Sequence, residues 1–169
     1  MKLIFTLSLC LGFAMATKAQ IFKNAKESNY NFKQVQRLAT SPVESQGRTG
    51  TCWSFSALSF LESEIMRTNK SDEPIILSEM FIVRKAYEEK AKKFIRMDGR
   101  TNFGEGGAFH DIPYVIRNFG IVPRSVYSGL KKKKDTYNHG GMVDRLDSIV
   151  QQAKSSGNGI QSEWLNAYN

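Results

Sequence analysis

The fold of this chain is decided by a short segment around one cysteine. Residues 41–55 read Ser-Pro-Val-Glu-Ser-Gln-Gly-Arg-Thr-Gly-Thr-Cys-Trp-Ser-Phe. A glycine-rich loop separates Gln46 from Cys52, and Cys52 opens an apolar run with helical spacing. A thiolate at a helix N-terminus is stabilised by the helix dipole and by unpaired backbone N–H groups. The Gln46 amide can stabilise an oxyanion formed at the same place. The segment therefore predicts the nucleophile and the oxyanion donor of an acyl-transfer site.

The same segment resembles the nucleophile region of papain-like cysteine peptidases, which carry Pro-Val, then Gln-Gly, then Cys-Trp-Ser-Phe. The resemblance implies that Cys52 is the nucleophile and that Gln46 is the oxyanion-hole donor. It also implies that Gly107, with Gly106 before it, pairs with the backbone of a peptide substrate. A plain turn glycine is the alternative interpretation of Gly107.

Two positions depart from papain itself. Papain-type members carry cysteines where this chain has Thr49 and Gly104, and those two cysteines form a disulfide with each other. Their joint absence, together with Gly-Ile-Val-Pro-Arg-Ser at residues 120–125, resembles the bleomycin hydrolase and aminopeptidase C branch. The resemblance covers residues 42–127. It implies aminopeptidase activity, and it leaves an oligomer open because that branch assembles as hexamers.

The first nineteen residues are expected to be a signal peptide for export. Lys2 precedes an apolar run at residues 3–16, and small-x-small cleavage sites occupy residues 14–16 and 17–19. The run is shorter than the roughly 20 apolar residues of a membrane-spanning helix. Cleavage before Gln20 is therefore favoured over an uncleaved anchor. The expected product is periplasmic or secreted, with no membrane span.

Cleavage would leave residues 20–169, which is enough chain for one domain with its own core. It would also remove Cys10, so that Cys52 could not form an internal disulfide. A lone thiol in an exported protein is either reactive or buried and inert. The register of Gln46 and Trp53 with Cys52 favours a reactive thiol.

Composition argues against a metal or nucleic-acid function. The formal net charge is +8, and Lys2 and Lys18 account for two of these charges, so the mature chain would carry +6. The basic run at residues 131–134 lacks interleaved aromatic residues and indicates a solvated loop rather than a nucleic-acid site. One cysteine and two distant histidines do not form a zinc ligand set, so we expect no metal and no cofactor.

Apolar spacing predicts mainly helices. The first helix is expected to run from Cys52 to Arg67, the second to open at Glu79 with Ser78 as N-cap, the third to end at Phe119 with Pro113 in its first turn, and the fourth to run from Met142 to near Gly157. Residues 20–41 are expected to be a lead-in segment, and residues 121–127 a short strand. The buried stripe of the first helix should contain Trp53, Ala57, Phe60, Leu61 and Ile65.

The expected fold class is α+β, of the papain-like type. The helices match the helical half of that fold, with a long central helix that starts at the cysteine. The β-rich half is missing from the sequence. The domain organisation is therefore a signal peptide at residues 1–19 and, at residues 20–169, the N-terminal helical part of a truncated peptidase domain.

A cysteine peptidase also needs a base for the thiol and a residue that orients this base. In the papain family a His and an Asn from the β-rich half serve these roles. This chain offers only His110 and His139, and neither these residues nor Asn166 matches the family's motifs. We therefore expect an incomplete enzyme, inactive alone, whose partners are a peptide substrate and the C-terminal half of the same enzyme.

Two other classes of function stay open. A secreted domain could bind a peptide or a partner protein through the same surface without turnover. A weaker alternative is a basic protein that binds an anionic surface through residues 131–134.

Overall fold

The structure is a computed structural model that describes part of the chain. The described residues are 26–27, 29–30, 32–69, 74–132, 135–156 and 164–168. The expected signal peptide, and residues 133–134 of the basic run, lie outside them. The chain divides into two units, residues 1–37 and residues 38–169. The described part of the first unit contains no helix or strand, and the rings of Tyr30 and Phe32 stack there with centroids 6.1 Å apart.

Five helices form the described part of the second unit. They are α1 (Cys52–Asn69), α2 (Glu79–Arg96), α3 (Asp111–Phe119), α4 (Met142–Ser155) and α5 (Trp164–Tyr168). Helix α2 is central, because α1, α3 and α4 all pack against it, while α5 packs against α4. Among the described residues, none of these helices has the length and apolar character needed to cross a membrane. The prediction of a mostly helical architecture with a helix that starts at Cys52 is confirmed.

The helix ends follow the local sequence signals. Ser78 has an extended backbone conformation and caps α2 by accepting the N–H of Phe81 at 3.0 Å. Pro113 is the third residue of α3, where its missing N–H costs no helical hydrogen bond. Gly120 ends α3 with φ +80° and donates its N–H to Ile116 O at 2.9 Å. These three expectations are confirmed.

Buried polar contacts hold α1 against the N-terminus of α2. The hydroxyl of Ser54 is fully buried and donates to Glu79 O at 3.0 Å. The buried carboxylate of Glu62 accepts the N–H of Leu77 at 2.7 Å. Since a buried polar group without a partner is costly, these bonds select one mutual placement of the two helices.

The strand predicted at residues 121–127 is wrong. Only a single antiparallel bridge joins Pro123 to Leu77, and the N–H of Arg124 donates to Ile76 O at 3.0 Å beside it. Proline has no N–H for a ladder, and the chain then turns, with the N–H of Val126 bonded to Pro123 O at 3.0 Å. Within the described residues the segment is therefore an anchored turn.

The prediction that Phe60 belongs to the buried stripe of α1 is also wrong. Its side chain is 55% exposed, and its ring meets Phe109 edge-on with centroids 6.1 Å apart. Phe60 lies four and eight residues after Ser56 and Cys52, which are exposed as well, so the three share one helix face. Trp53, the residue after Cys52, belongs to the buried side of the helix.

We expect Ser78→Ala to destabilise the protein by about 1–2 kcal/mol, because it removes the cap of α2. The same hydroxyl also bonds to Tyr127 O, which would lose its partner. Ser148→Ala is the matched control, since that exposed hydroxyl bonds only to Asp144 O of its own helix. Urea unfolding measures both changes, and equal losses in the two variants would contradict the expectation.

Candidate active site

Cys52 is the first residue of α1, and its thiol is free and exposed. The helix begins there because the buried Thr51 offers its carbonyl to the N–H groups of Ser54 and Phe55, at 2.9 and 3.3 Å. The backbone N–H of Cys52 has no acceptor among the described residues. A helix N-terminus with an unpaired N–H favours negative charge, and this donor is available to a substrate oxygen.

The loop before Cys52 is held by a reciprocal pair of hydrogen bonds. The Gln46 amide donates through Nε2 to Thr49 O at 2.5 Å, and the Thr49 hydroxyl donates to Gln46 O at 2.8 Å. A side-chain amide has two N–H donors, so one remains after this contact. Among the described residues no hydrogen bond joins Gln46 to Cys52, and the oxyanion role of Gln46 stays a prediction.

Residues 46–51, which we call the nucleophile loop, are attached to a distant segment of the chain. The N–H of Arg48 donates to Tyr137 O at 2.8 Å, and Arg48 O accepts the N–H of His139 at 3.1 Å. Gly47 has φ +62°, and a Cβ at this position would collide with the carbonyl of Tyr137. Only glycine therefore allows this turn and this close approach together.

Glu105 is the residue of this site that sequence reasoning missed. Its carboxylate accepts the N–H of Gly50 through Oε2, and Oε1 lies 3.7 Å from His139 Nδ1. Its main-chain carbonyl accepts the indole N–H of Trp53 at 3.1 Å and the hydroxyl of Tyr87 at 3.2 Å. A lone acid directly before two glycines was the available signal, but its partner lies 55 residues away in the sequence.

The two glycines implied to bind substrate have different surroundings. A Cβ on Gly107 would lie 2.5 Å from the indole ring of Trp53, while a Cβ on Gly106 would meet nothing within 4 Å. Gly107 is therefore required by packing, and its pairing with a substrate backbone stays a prediction. Gly106 is exposed.

Residues 104–107, which we call the glycine loop, are held from α2 by Lys90. Its ammonium donates to Gly106 O and, at 3.3 Å, to Gly104 O. It also lies 5.7 Å from the Trp53 ring centroid and 5.6 Å from that of Tyr87. Burial lowers the pKa of Lys90 from its ordinary value, and Asp111 opposes this shift. The Lys90 ammonium thus contacts both the glycine loop and the ring of Trp53.

His139 is near the nucleophile loop but does not contact the thiol. Its side chain is 11% exposed, its ring packs edge-on against Tyr87 at 6.2 Å, and Nδ1 is buried without a hydrogen-bond partner in the described residues. Burial lowers the pKa of His139, and the Glu105 carboxylate works against this shift. No contact between Cys52 and His139 is found in the described part of the chain.

The other histidine, His110, lies at the surface and does not contact the nucleophile loop by any hydrogen bond in the described residues. His110 precedes α3, its side chain is 83% exposed, and Nε2 lies 3.5 Å from Asp111 Oδ1. This exposed position gives His110 no contact that would mark it as a catalytic base. Neither histidine is therefore paired with the thiol in the described residues.

A cavity of about 910 Å³ adjoins the nucleophile loop without containing the thiol. Ser45 and Gly47 reach it, and Arg124 lines it while bonded to Glu44 and Glu79. Cys52 is not among its lining residues. The thiol therefore lies on the exposed face of α1 and not in this cavity.

Comparison with known proteins identifies the family. The model of the papain family of cysteine proteases matches residues 27–164, which is most of the chain. No curated protein matches it. The exposed cysteine at the start of α1 lies in this matched region, and the chain belongs to the papain family of cysteine proteases.

We expect Gly107→Ala to cost about 1–3 kcal/mol of stability, because the new Cβ would overlap the Trp53 ring in a packed core. Gly106→Ala is the matched control, with open space around its Cβ, and should change stability by less than about 1 kcal/mol. Chemical unfolding followed by tryptophan fluorescence measures both. An unchanged stability of Gly107→Ala would contradict the contact with Trp53.

We expect His139 to stabilise the fold less as the pH falls. Its pKa in the folded state lies below its ordinary value of 6.5, so the unfolded chain takes up the proton first. The contribution is complete above about pH 6.5 and is lost as the pH falls through the folded pKa. Urea unfolding of the wild type and of His139→Gln, between about pH 7.5 and about pH 5, tests this. A stability difference that does not shrink on acidification would contradict the expectation.

Proposed function

We propose that this protein is the nucleophile-bearing part of a cysteine peptidase that hydrolyses peptide bonds. The observation that carries the proposal is the exposed Cys52 thiol at the start of α1. The thiolate adds to the substrate carbonyl carbon, and the new oxyanion receives N–H groups from Cys52 and Gln46. The C–N bond then breaks, the amine leaves with a proton, and water cleaves the thioester to restore the thiol.

The base is proposed to come from residues outside the described chain. His139 is turned to Glu105, and His110 is paired with Asp111. A second segment that supplies a His and an Asn has to reach the thiol along the exposed face of α1. Phe60 and Phe109 offer an apolar contact on that face. In this proposal the segment is the C-terminal half of the same enzyme.

The finer assignment is to the bleomycin hydrolase and aminopeptidase C branch. It is supported by Thr49 and Gly104, which stand where papain-type members have paired cysteines, and by the segment at residues 120–125. Aminopeptidase activity, an oligomer and export through a cleaved N-terminal signal are parts of the same proposal. They depend on sequence resemblance and on the residue pattern at the N-terminus.

A second candidate is a domain that binds a peptide or partner without turnover. It is favoured by one observation, the lack of any contact between Cys52 and a histidine in the described residues. A peptidyl electrophile separates the two candidates, because a peptidase site binds the peptide and presents it to the thiol. Alkylation of Cys52 should then be much faster than the reactivity of the thiol toward iodoacetamide predicts.

We expect little or no hydrolysis of an aminoacyl or peptidyl fluorogenic amide by the purified chain alone. General acid–base help is worth about 10²–10⁴ in rate, and the lone chain lacks it. Adding a C-terminal half that carries the His and the Asn should restore turnover, and Cys52→Ala should abolish it. Clear Cys52-dependent turnover by the lone chain would contradict the proposal that the base comes from another segment. His139→Gln would then test whether His139 is the base.

A further inference from the structure

Two loops that meet at Cys52 are joined through Glu105. The carboxylate accepts the N–H of Gly50, two residues before the nucleophile, and the carbonyl accepts the indole N–H of Trp53, one residue after it. Cys52 is therefore bracketed by two bonds to a single residue of the other loop. The approach is close, since a Cβ on Gly50 would lie 2.7 Å from Glu105 Cβ.

The surroundings of the carboxylate keep it in this place. Its side chain is 23% exposed, and His139 Nδ1 lies 3.7 Å from Oε1. His139 is itself bonded through its N–H to Arg48 O, in the same nucleophile loop. Hydrogen bonds to an ionised acceptor are stronger and more directional than bonds between neutral groups. The carboxylate thus fixes the position of the Gly50 peptide against the glycine loop.

The loop that carries Glu105 is itself held from α2. Lys90 holds the carbonyls of Gly104 and Gly106, on either side of Glu105. The glycine loop is therefore a fixed edge to which the nucleophile loop is attached.

We propose that Glu105 is a positioning residue whose carboxylate, by holding the Gly50 peptide, sets the thiol and the Gln46 loop against the Gly106–Gly107 edge. The proposal rests on the proposed function, because a peptide lying on that edge has to meet the thiol at one distance. Glu105 acts through the loop and does not touch the substrate. Loss of its oxygen should impair reaction with a bound peptide and spare reaction with a small reagent.

The decisive variants are Glu105→Met and Glu105→Gln in a Cys10→Ser background, so that Cys52 is the one thiol of the full chain. Both are uncharged and of similar length, but only Gln keeps an oxygen that can accept the Gly50 N–H. Glu89→Ala is the matched control, because that partly buried acid bonds to Lys92 and Tyr114, away from both loops.

Two measurements compare the variants. The first is kinact/KI for a peptidyl chloromethyl ketone together with the alkylation rate by iodoacetamide. We expect Glu105→Met to lose about tenfold with the peptidyl reagent, a change of 1.36 kcal/mol. Glu105→Gln should stay within about threefold of the parent, and iodoacetamide should change by less than about twofold in every variant. The second is the hydrogen-exchange protection of the Gly50 amide. This protection should be lost in Glu105→Met and kept in Glu105→Gln.

The outcomes are separable. A parent chain without preference for the peptidyl reagent would refute the proposed function, while the exchange of the Gly50 amide would still decide whether Glu105 holds the loop. Equal peptidyl reactivity of Met and Gln variants would overturn the positioning role. A parallel fall of both reagents with a lower unfolding midpoint would also overturn it, because that pattern belongs to a merely structural residue.

Discussion

The geometry around the Cys52 thiol depends on the packing of the Trp53 indole against Gly107. Trp53 is almost fully buried, while Cys52 beside it is exposed. Consecutive helical residues point about 100° apart, so a fixed indole also fixes the direction of the preceding side chain. The indole N–H bonds to Glu105 O, which adds a directional contact to the apolar one. The Cys52 side chain therefore gains a defined direction from its neighbour, although it is itself exposed.

The charges near the site act on peptide groups rather than on each other. Lys90 donates to carbonyls of the glycine loop, and Glu105 accepts an N–H of the nucleophile loop. Within the described residues these two side chains form no ion pair. Each half-buried charge is instead solvated by backbone dipoles, which compensates part of its lost hydration. The two loops form no β-ladder in the described residues, and these side-chain bonds hold their backbones in place.

Local signals in the sequence were sufficient for the helices. The cap at Ser78, the placement of Pro113 and the end at Gly120 each depend on neighbours within a few residues, and all three were predictable. The exposed Phe60 and the link from Glu105 to Gly50 were not. Both depend on which surfaces meet in three dimensions, and a glutamate in a glycine loop looks the same in sequence whether it is solvated or bonded. The burial of His139 against Tyr87 likewise had no signal in the sequence.

The Gly50–Glu105 hydrogen bond joins the two loops without a disulfide beside Cys52. A thiolate attacks a disulfide sulfur readily, so a cystine three residues away is a potential exchange partner for a catalytic cysteine. Here position 49 is a threonine, and Cys52 is the only cysteine of the described residues. Oxidation of Cys52 cannot close a disulfide within the described residues, and a sulfenic acid is a product that a small external thiol can reverse. The loops keep their connection in reducing and in oxidising surroundings alike.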